Sequence, residues 1–288
     1  MGHTAEEHSF VAEDGLKIFY RTYLPRRQTG KSEQERTKLV IVHGIGEHSG
    51  RYNNVVDVLL PQGISVWALD LRGHGRSEGK KGHIASFEEY TSDVLSLVNI
   101  ARKSKEEDVK CFMLGHSMGG LITLYFALRY PQLIDGMIVS SPALGLAVRV
   151  PFIKVILGRL MSFLFPSFTM GNGLNVGMLS HDEGVVQAYV EDPLVHDRVS
   201  ARWFTEILNA MEYVNSLATS LKIPILMQLA QDDRLTDPLV AEEFFERLTV
   251  RDKTLLVYEG LYHEIYNEQG ELRRKPLEDL RAWLEERR

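Results

Sequence analysis

Ser117 lies in the string Gly115-His116-Ser117-Met118-Gly119, with Gly120 following. This fits G-x-S-x-G, the pattern of a nucleophile elbow. A serine there sits in a sharp, strained turn between a strand and a helix, and side chains at the flanking positions would clash with both. The context agrees. The apolar run Val109 to Leu114 precedes the motif, and a mostly apolar helical pattern runs from Met118 to Tyr130, ended by Pro131. A helix starting at that point also turns its positive end toward an oxyanion. The competing reading is a strand-to-helix turn whose serine merely caps the helix.

A serine hydroxyl is too weak an acid to attack unaided at neutral pH, so a general base is required. In chains of this pattern the order is Ser, then acid, then His. His263 is the only histidine after His196. It follows the apolar run Thr254 to Tyr258 and the turn Glu259-Gly260-Leu261-Tyr262, which places it past a strand's C-terminal end, where chemistry gathers in open α/β sheets. The acid belongs after the run Ile223 to Leu229. Asp232, Asp233 and Asp237 are candidates; spacing does not choose between the first two, and Asp237 before Pro238 reads as a helix N-cap. Two backbone N–H groups must meet the oxyanion. Met118 supplies one, and Ile45 of His43-Gly44-Ile45-Gly46 is the expected source of the other.

These residues need strands that deliver them to one edge. Leu39 to Val42, Ile64 to Leu69, Val109 to Leu114, Gly136 to Val139, Ile223 to Leu229 and Thr254 to Tyr258 are apolar without polar alternation, as strands buried on both faces are. Helical patterns separate them. Phe87 to Ala101 has Ser86 as predicted N-cap and Glu89 as capping-box partner. Pro238 to Leu248 and Pro276 to Glu286 each open on a proline. The alternation implies right-handed βαβ units and a mostly parallel, doubly wound α/β sheet. Ahead of it, Glu7 to Ala12 and Leu16 to Leu24 flank the turn Glu13-Asp14-Gly15, and Arg27 to Lys38 reads as an exposed loop. The alternation breaks between Ala143 and Leu221. That stretch shows no convincing strand, an apolar segment from Val150 to Phe165, a glycine-rich piece from Gly171 to Gly177 and a helical run from Ala201 to Leu221. The predicted division is a core of residues 1–142 and 221–288 with residues 143–220 inserted.

Composition narrows the function. The 288 residues carry 33 Lys plus Arg against 39 Asp plus Glu, a net charge of -6. Such a balance argues against nucleic acid as a partner, since phosphate contacts need clustered cations. The single cysteine, Cys111, lies in an apolar run and reads as a core thiol. His43, His48, His74 and His83 fall on separate loops without ligand-spaced partners, so no metal is expected. H-E-x-x-H and the phosphate-binding loop pattern both fail. Met1 to Glu7 lacks the regions of a signal peptide, so a cytoplasmic protein is expected. Val150 to Phe165 is shorter than the roughly 20 residues a membrane span needs.

Three strings together resemble the monoacylglycerol lipases, serine hydrolases of the α/β-hydrolase fold, and their lysophospholipase-like relatives. They are His43-Gly44-Ile45-Gly46-Glu47-His48-Ser49-Gly50-Arg51-Tyr52, Asp70-Leu71-Arg72-Gly73-His74-Gly75-Arg76-Ser77, and the motif around Ser117. The resemblance continues through Asp192-Pro193-Leu194, Asp233-Arg234-Leu235 and Tyr258 to His263. It implies Ser117, Asp233 and His263 as the triad and Ile45 and Met118 as oxyanion donors. It implies Glu47 and Arg51 at the polar end near a glycerol headgroup, against which stands a salt bridge that only holds the loop. The second histidine this family often carries three residues after the catalytic one is Tyr266 here. The insertion, residues 143–220, corresponds to a cap enclosing a tunnel for one acyl chain. Val150 to Phe165 would line that tunnel and touch a membrane surface, with Arg149, Lys154 and Arg159 toward anionic headgroups. The activity implied is hydrolysis of monoacylglycerols to fatty acid and glycerol through an acyl-enzyme, with no cofactor. The rivals are a lysophospholipase or broad medium-chain carboxylesterase, and a non-catalytic acyl-ligand binder on the same fold.

Overall fold

All six residues of β3 (Thr37–Val42) are buried. Val40 and Val42 join one apolar layer and Leu39 and Ile41 the other, so the unbroken apolar run reflects a strand covered on both faces. The computed structural model describes residues 3–25, 37–103, 109–147 and 151–288. Its main sheet also contains β1 (Glu6–Val11), β2 (Lys17–Tyr23), β4 (Ile64–Leu69), β5 (Lys110–His116), β6 (Gly136–Ser140), β9 (Ile225–Ala230) and β10 (Lys253–Tyr258). The order is β1-β2-β4-β3-β5-β6-β9-β10. From β4 to β10 every pairing is parallel, and the β1–β2 hairpin adds an antiparallel edge. The expected doubly wound α/β architecture is therefore present.

Helices cover both faces. Residues of α2 (Glu88–Arg102), α3 (Met118–Arg129) and α7 (Pro238–Arg247) join the layer of Val40; residues of α1 (Asn53–Leu59) and α8 (Gly270–Glu285) join that of Leu39. The chain winds from β3 to β4 on one side and crosses to β5 on the other. The order thus reverses between β3 and β5, the switch point where open α/β sheets place their sites.

Residues between β6 and β9 form α4 (Phe152–Leu164), β7 (Thr169–Gly171), α5 (Glu183–Glu191), β8 (Arg198–Ser200) and α6 (Ala201–Ser216). Gly158 lets α4 approach α6 closely: a Cβ there would lie 3.0 Å from the Phe204 ring. The sequence showed no convincing strand in this stretch, yet β7 and β8 pair antiparallel over three residues each. Strands so short carry too little periodicity to stand out.

Three further expectations are corrected. The capping box at α2 does not form. Phe87 occupies the N-cap without a side-chain bond, and Glu89 instead accepts from the Ala85 N–H at 3.0 Å. Pro276 does not open its helix but lies inside α8, which begins at Gly270 and is anchored by buried Leu277, Leu280, Trp283 and Leu284. The predicted loop from Arg27 to Lys38 lies outside the described residues up to position 36, but Thr37 and Lys38 belong to β3. Lys38 is buried, and its Nζ donates to the Ala101 carbonyl at 2.7 Å.

Candidate active site

The β5–α3 junction puts Ser117 at φ 54, ψ -119, a backbone conformation that residues with a Cβ rarely adopt. The glycines around it allow the helix to close on the sheet. A Cβ on Gly119 would overlap the Val42 carbonyl, and one on Gly115 would overlap the Gly119 carbonyl. The Ser117 N–H donates to Ser140 O at 3.0 Å, and its carbonyl accepts from Leu121 and Ala143 N–H. A strained turn held on several sides aims the side chain into the space above the sheet.

His263 reaches the same place from the loop after β10. Its Nδ1 lies 2.6 Å from Asp233 Oδ2. Its carbonyl accepts from Ser141 Oγ at 3.0 Å. Asp233 is further fixed by the Leu235 and Thr236 N–H groups on Oδ1 and the Thr236 hydroxyl on Oδ2. Asp232, one residue earlier, is exposed, and Asp237 caps α7 through the Leu239 N–H. The geometry thus brings Asp233 to the imidazole among the three candidates. Burial draws the His263 imidazole down, but the Asp233 carboxylate outweighs it, with Glu264 and Glu47 adding, and holds it above the ordinary histidine value. The Asp233 carboxyl is opposed by burial yet kept below its ordinary value by His263 and the two backbone N–H groups. The His116 ring lies 4.7 Å from that of His263. Burial, then the neighbouring His263, lowers His116 to about 4, so it stays neutral at pH 7.

Ile45 and Met118 both line the cavity onto which Ser117 and His263 open. Their N–H groups belong to the loop after β3 and the first turn of α3, which the strand order makes neighbours. Gly46 has φ 77, and a Cβ there would overlap the His196 carbonyl; the His196 N–H in turn donates to Gly46 O at 2.9 Å. The cavity has a volume of about 660 Å³ and extends past Leu146, Leu174, Trp203, Ile207 and Met211. That is an ordinary size for a small-molecule site, with apolar walls and a few convergent polar groups.

Glu47 also lines this cavity; Arg51 does not. Arg51 is held behind it by Glu47 and by Glu264, the residue after His263. No local signal in the sequence marks Glu264, whose partner Arg51 is 213 residues away. Tyr266 turns away: its hydroxyl donates to Gln228 Oε1 in the core. Other motif residues fasten loops. Asp70 accepts from Ser49 and Arg76 N–H, both at 2.8 Å, His48 Nε2 lies 2.9 Å from Asp192 Oδ2, and Arg72 makes a two-pronged bond to Asp93. Among the described residues no cluster of His, Cys, Asp and Glu is arranged to hold a metal ion. Cys111 is buried, which pushes its thiol up to about 11.

Residues 33–270 match the family Hydrolase_4, described as serine aminopeptidase, S33. The chain is 33% identical to the monoacylglycerol lipase of Mycolicibacterium smegmatis over 98% of its length and 97% of the relative's. It is 35% identical to the phospholipase YtpA of Bacillus subtilis over 83% of its length and 92% of the relative's. It spans 27% of one longer curated relative. The crystal structure of the Paleococcus ferrophilus monoacylglycerol lipase superposes with a TM-score of 0.83 at 33% identity, covering 99% of this chain and 100% of that one.

Proposed function

The chain belongs to the monoacylglycerol lipase family of serine hydrolases, and we propose that it hydrolyses the ester bond of monoacylglycerols through an acyl-enzyme on Ser117. One observation carries this reading: the serine at its strained turn and the imidazole paired with Asp233 open onto one largely apolar cavity.

His263 takes the hydroxyl proton as Ser117 Oγ adds to the ester carbonyl. The Ile45 and Met118 N–H groups receive the oxyanion. The tetrahedral intermediate collapses, and the protonated imidazole passes its proton to the departing glycerol oxygen. Water, deprotonated by the same imidazole, then attacks the acyl carbonyl; the bond to Ser117 Oγ breaks, the imidazolium returns its proton to that oxygen, and the fatty acid leaves. Asp233 holds the ring and stabilises its charged form. Glu47, at the cavity wall, supplies a polar edge to the glycerol end.

Residues 143–220 act as a cap over the site in this reading. Arg149 and Val150 lie outside the described residues. The rest of the apolar segment is α4, whose Phe152 and Phe163 are 78% and 79% exposed. No helix among the described residues is long and apolar enough to cross a membrane. The exposed face of α4 instead suits contact with a lipid surface, from which a cytoplasmic enzyme would draw its substrate.

The likeness to a phospholipase, YtpA, supports a second reading, hydrolysis of phospholipid esters by the same triad, for which a lysophospholipid is the single-chain counterpart of a monoacylglycerol. Competitive turnover of a monoacylglycerol, lysophosphatidylcholine and p-nitrophenyl butyrate separates them. Monoacylglycerol turns over with the highest kcat/KM in the proposed function, and lysophosphatidylcholine does so in the rival.

A further inference from the structure

Arg51 keeps a guanidinium in a side chain only 10% exposed. Its Nη1 donates to Glu47 Oε2 at 3.0 Å and Glu264 Oε1 at 2.6 Å, and its Nη2 donates to Glu264 Oε2 at 2.8 Å. The cation lies over the Tyr189 ring, 4.7 Å from its centre. Both carboxylate side chains are 5% exposed. Removing one member of such a group would strand a buried charge.

Each arm ends on a different part of the site. The second Glu47 oxygen, Oε1, accepts from the Gly44 N–H at 2.7 Å and the Tyr52 hydroxyl at 2.8 Å. Gly44 directly precedes Ile45. Glu264 directly follows His263, its N–H donates to Leu179 O at 2.8 Å, and its Oε2 also accepts from Asn267 Nδ2 at 3.0 Å. Arg51 thus stands between the loop of the expected oxyanion donor and the loop of the expected base. It faces a narrow crevice of about 10 Å³, shared with Glu47, His116, Glu264 and Asn267. That volume is about one water molecule and excludes a glycerol.

We propose that Arg51, with Glu47 and Glu264 as its two arms, is a positioning residue that fixes the oxyanion loop against the histidine loop without touching the glycerol of the substrate. The proposal rests on the roles of Ile45, Ser117 and His263 proposed above. A planar fork matches two carboxylates in a way a lysine ammonium cannot. Slack between the two loops separates the oxyanion donor from the base, and a misplacement of about 1 Å in such an arrangement costs on the order of a hundredfold in rate.

The test compares Glu264→Gln and Arg51→Lys with wild type on a monoacylglycerol and on p-nitrophenyl butyrate, whose leaving group carries no glycerol hydroxyls. Folding is checked by the thermal unfolding midpoint. The clamp predicts that kcat falls about tenfold to a hundredfold on both esters alike, with each KM within about twofold of wild type. Arg51→Lys keeps a charge between the carboxylates and carries the test if Glu264→Gln does not fold. A loss confined to the monoacylglycerol overturns the clamp in favour of headgroup contact, and an unchanged kcat on both esters in a folded variant also overturns it. Fluorophosphonate labelling of the wild type is run alongside. A wild type that resists labelling overturns the nucleophile assignment beneath the clamp, an outcome distinct from failure of the clamp alone.

Discussion

Asp233 Oδ2 and His263 Nδ1 lie 2.6 Å apart with side chains 2% and 4% exposed, so the pair is shielded from water on both partners. The two Asp233 oxygens otherwise accept from Leu235, Thr236 and the Thr236 hydroxyl, which fixes the carboxylate's plane before the imidazole meets it. Asp233→Asn keeps the shape but presents an amide, which favours the wrong imidazole tautomer. A fall in kcat of roughly 10⁴-fold is expected by analogy with the best-studied triad. Steady-state kinetics on p-nitrophenyl butyrate checks it, and a loss under tenfold would dissociate Asp233 from the chemistry.

The raised His263 value sets a pH profile. Only the neutral imidazole can accept the serine proton, so kcat/KM should fall as pH is lowered through a value above the ordinary 6.5 of histidine. An acidic limb below 6.5 would mean that burial, rather than the Asp233 carboxylate, governs the imidazole.

Much of this site was legible because its residue types are demanded by local geometry. The strand-turn-helix around Ser117 needs glycines where two backbones approach, and the base was left as His263 once chain order removed the other histidines. The choice of Asp233 over Asp232 was not legible from spacing, because both sit on one loop; the family resemblance implied it, and in the folded chain it is Asp233 that meets the imidazole. Glu264 was hidden for a similar reason: its partner Arg51 is distant in sequence and is met only when the loops after β3 and β10 converge. The α2 cap and the start of α8 were misjudged from local signals that tertiary contacts override. Ser86 yields the cap position to Phe87, whose N–H donates to Glu206 Oε2 at 3.1 Å. Pro276 is tolerated within a helix whose apolar stripe packs on the sheet.

Gly119→Ala should damage the fold rather than the chemistry alone. The added Cβ overlaps the Val42 and His43 carbonyls, backbone atoms that cannot rotate away as a flexible side chain could. A destabilisation above about 4 kcal/mol is expected, the range of severe overpacking or strain. Chemical denaturation of the soluble fraction measures it; a midpoint within experimental scatter of wild type would show that α3 can shift away from β3.

Ile207 and Met211 line the cavity from α6, whereas Glu47 lines it from the loop after β3. Ile207→Trp should fill acyl space without reaching Ser117. The expected result is kcat/KM reduced at least about tenfold for long-chain monoacylglycerols and nearly unchanged for short ones, read from a chain-length panel. Equal losses at every length would place the acyl chain elsewhere.

The exposed face of α4 predicts lipid binding. Phe152→Ser combined with Phe163→Ser removes two aromatic side chains that contribute little to the packed core. Co-sedimentation with phosphatidylcholine vesicles containing an anionic lipid should drop at least severalfold, while hydrolysis of p-nitrophenyl butyrate in solution stays within about twofold. Unchanged partitioning would remove α4 from any membrane contact.

The most direct measurement follows fatty acid and glycerol released from a monoacylglycerol by wild type and by Ser117→Ala, each first shown to be folded. The account predicts equimolar products from the wild type, with kcat lower by about 10⁶-fold in Ser117→Ala. Near-normal release by the alanine variant would contradict it.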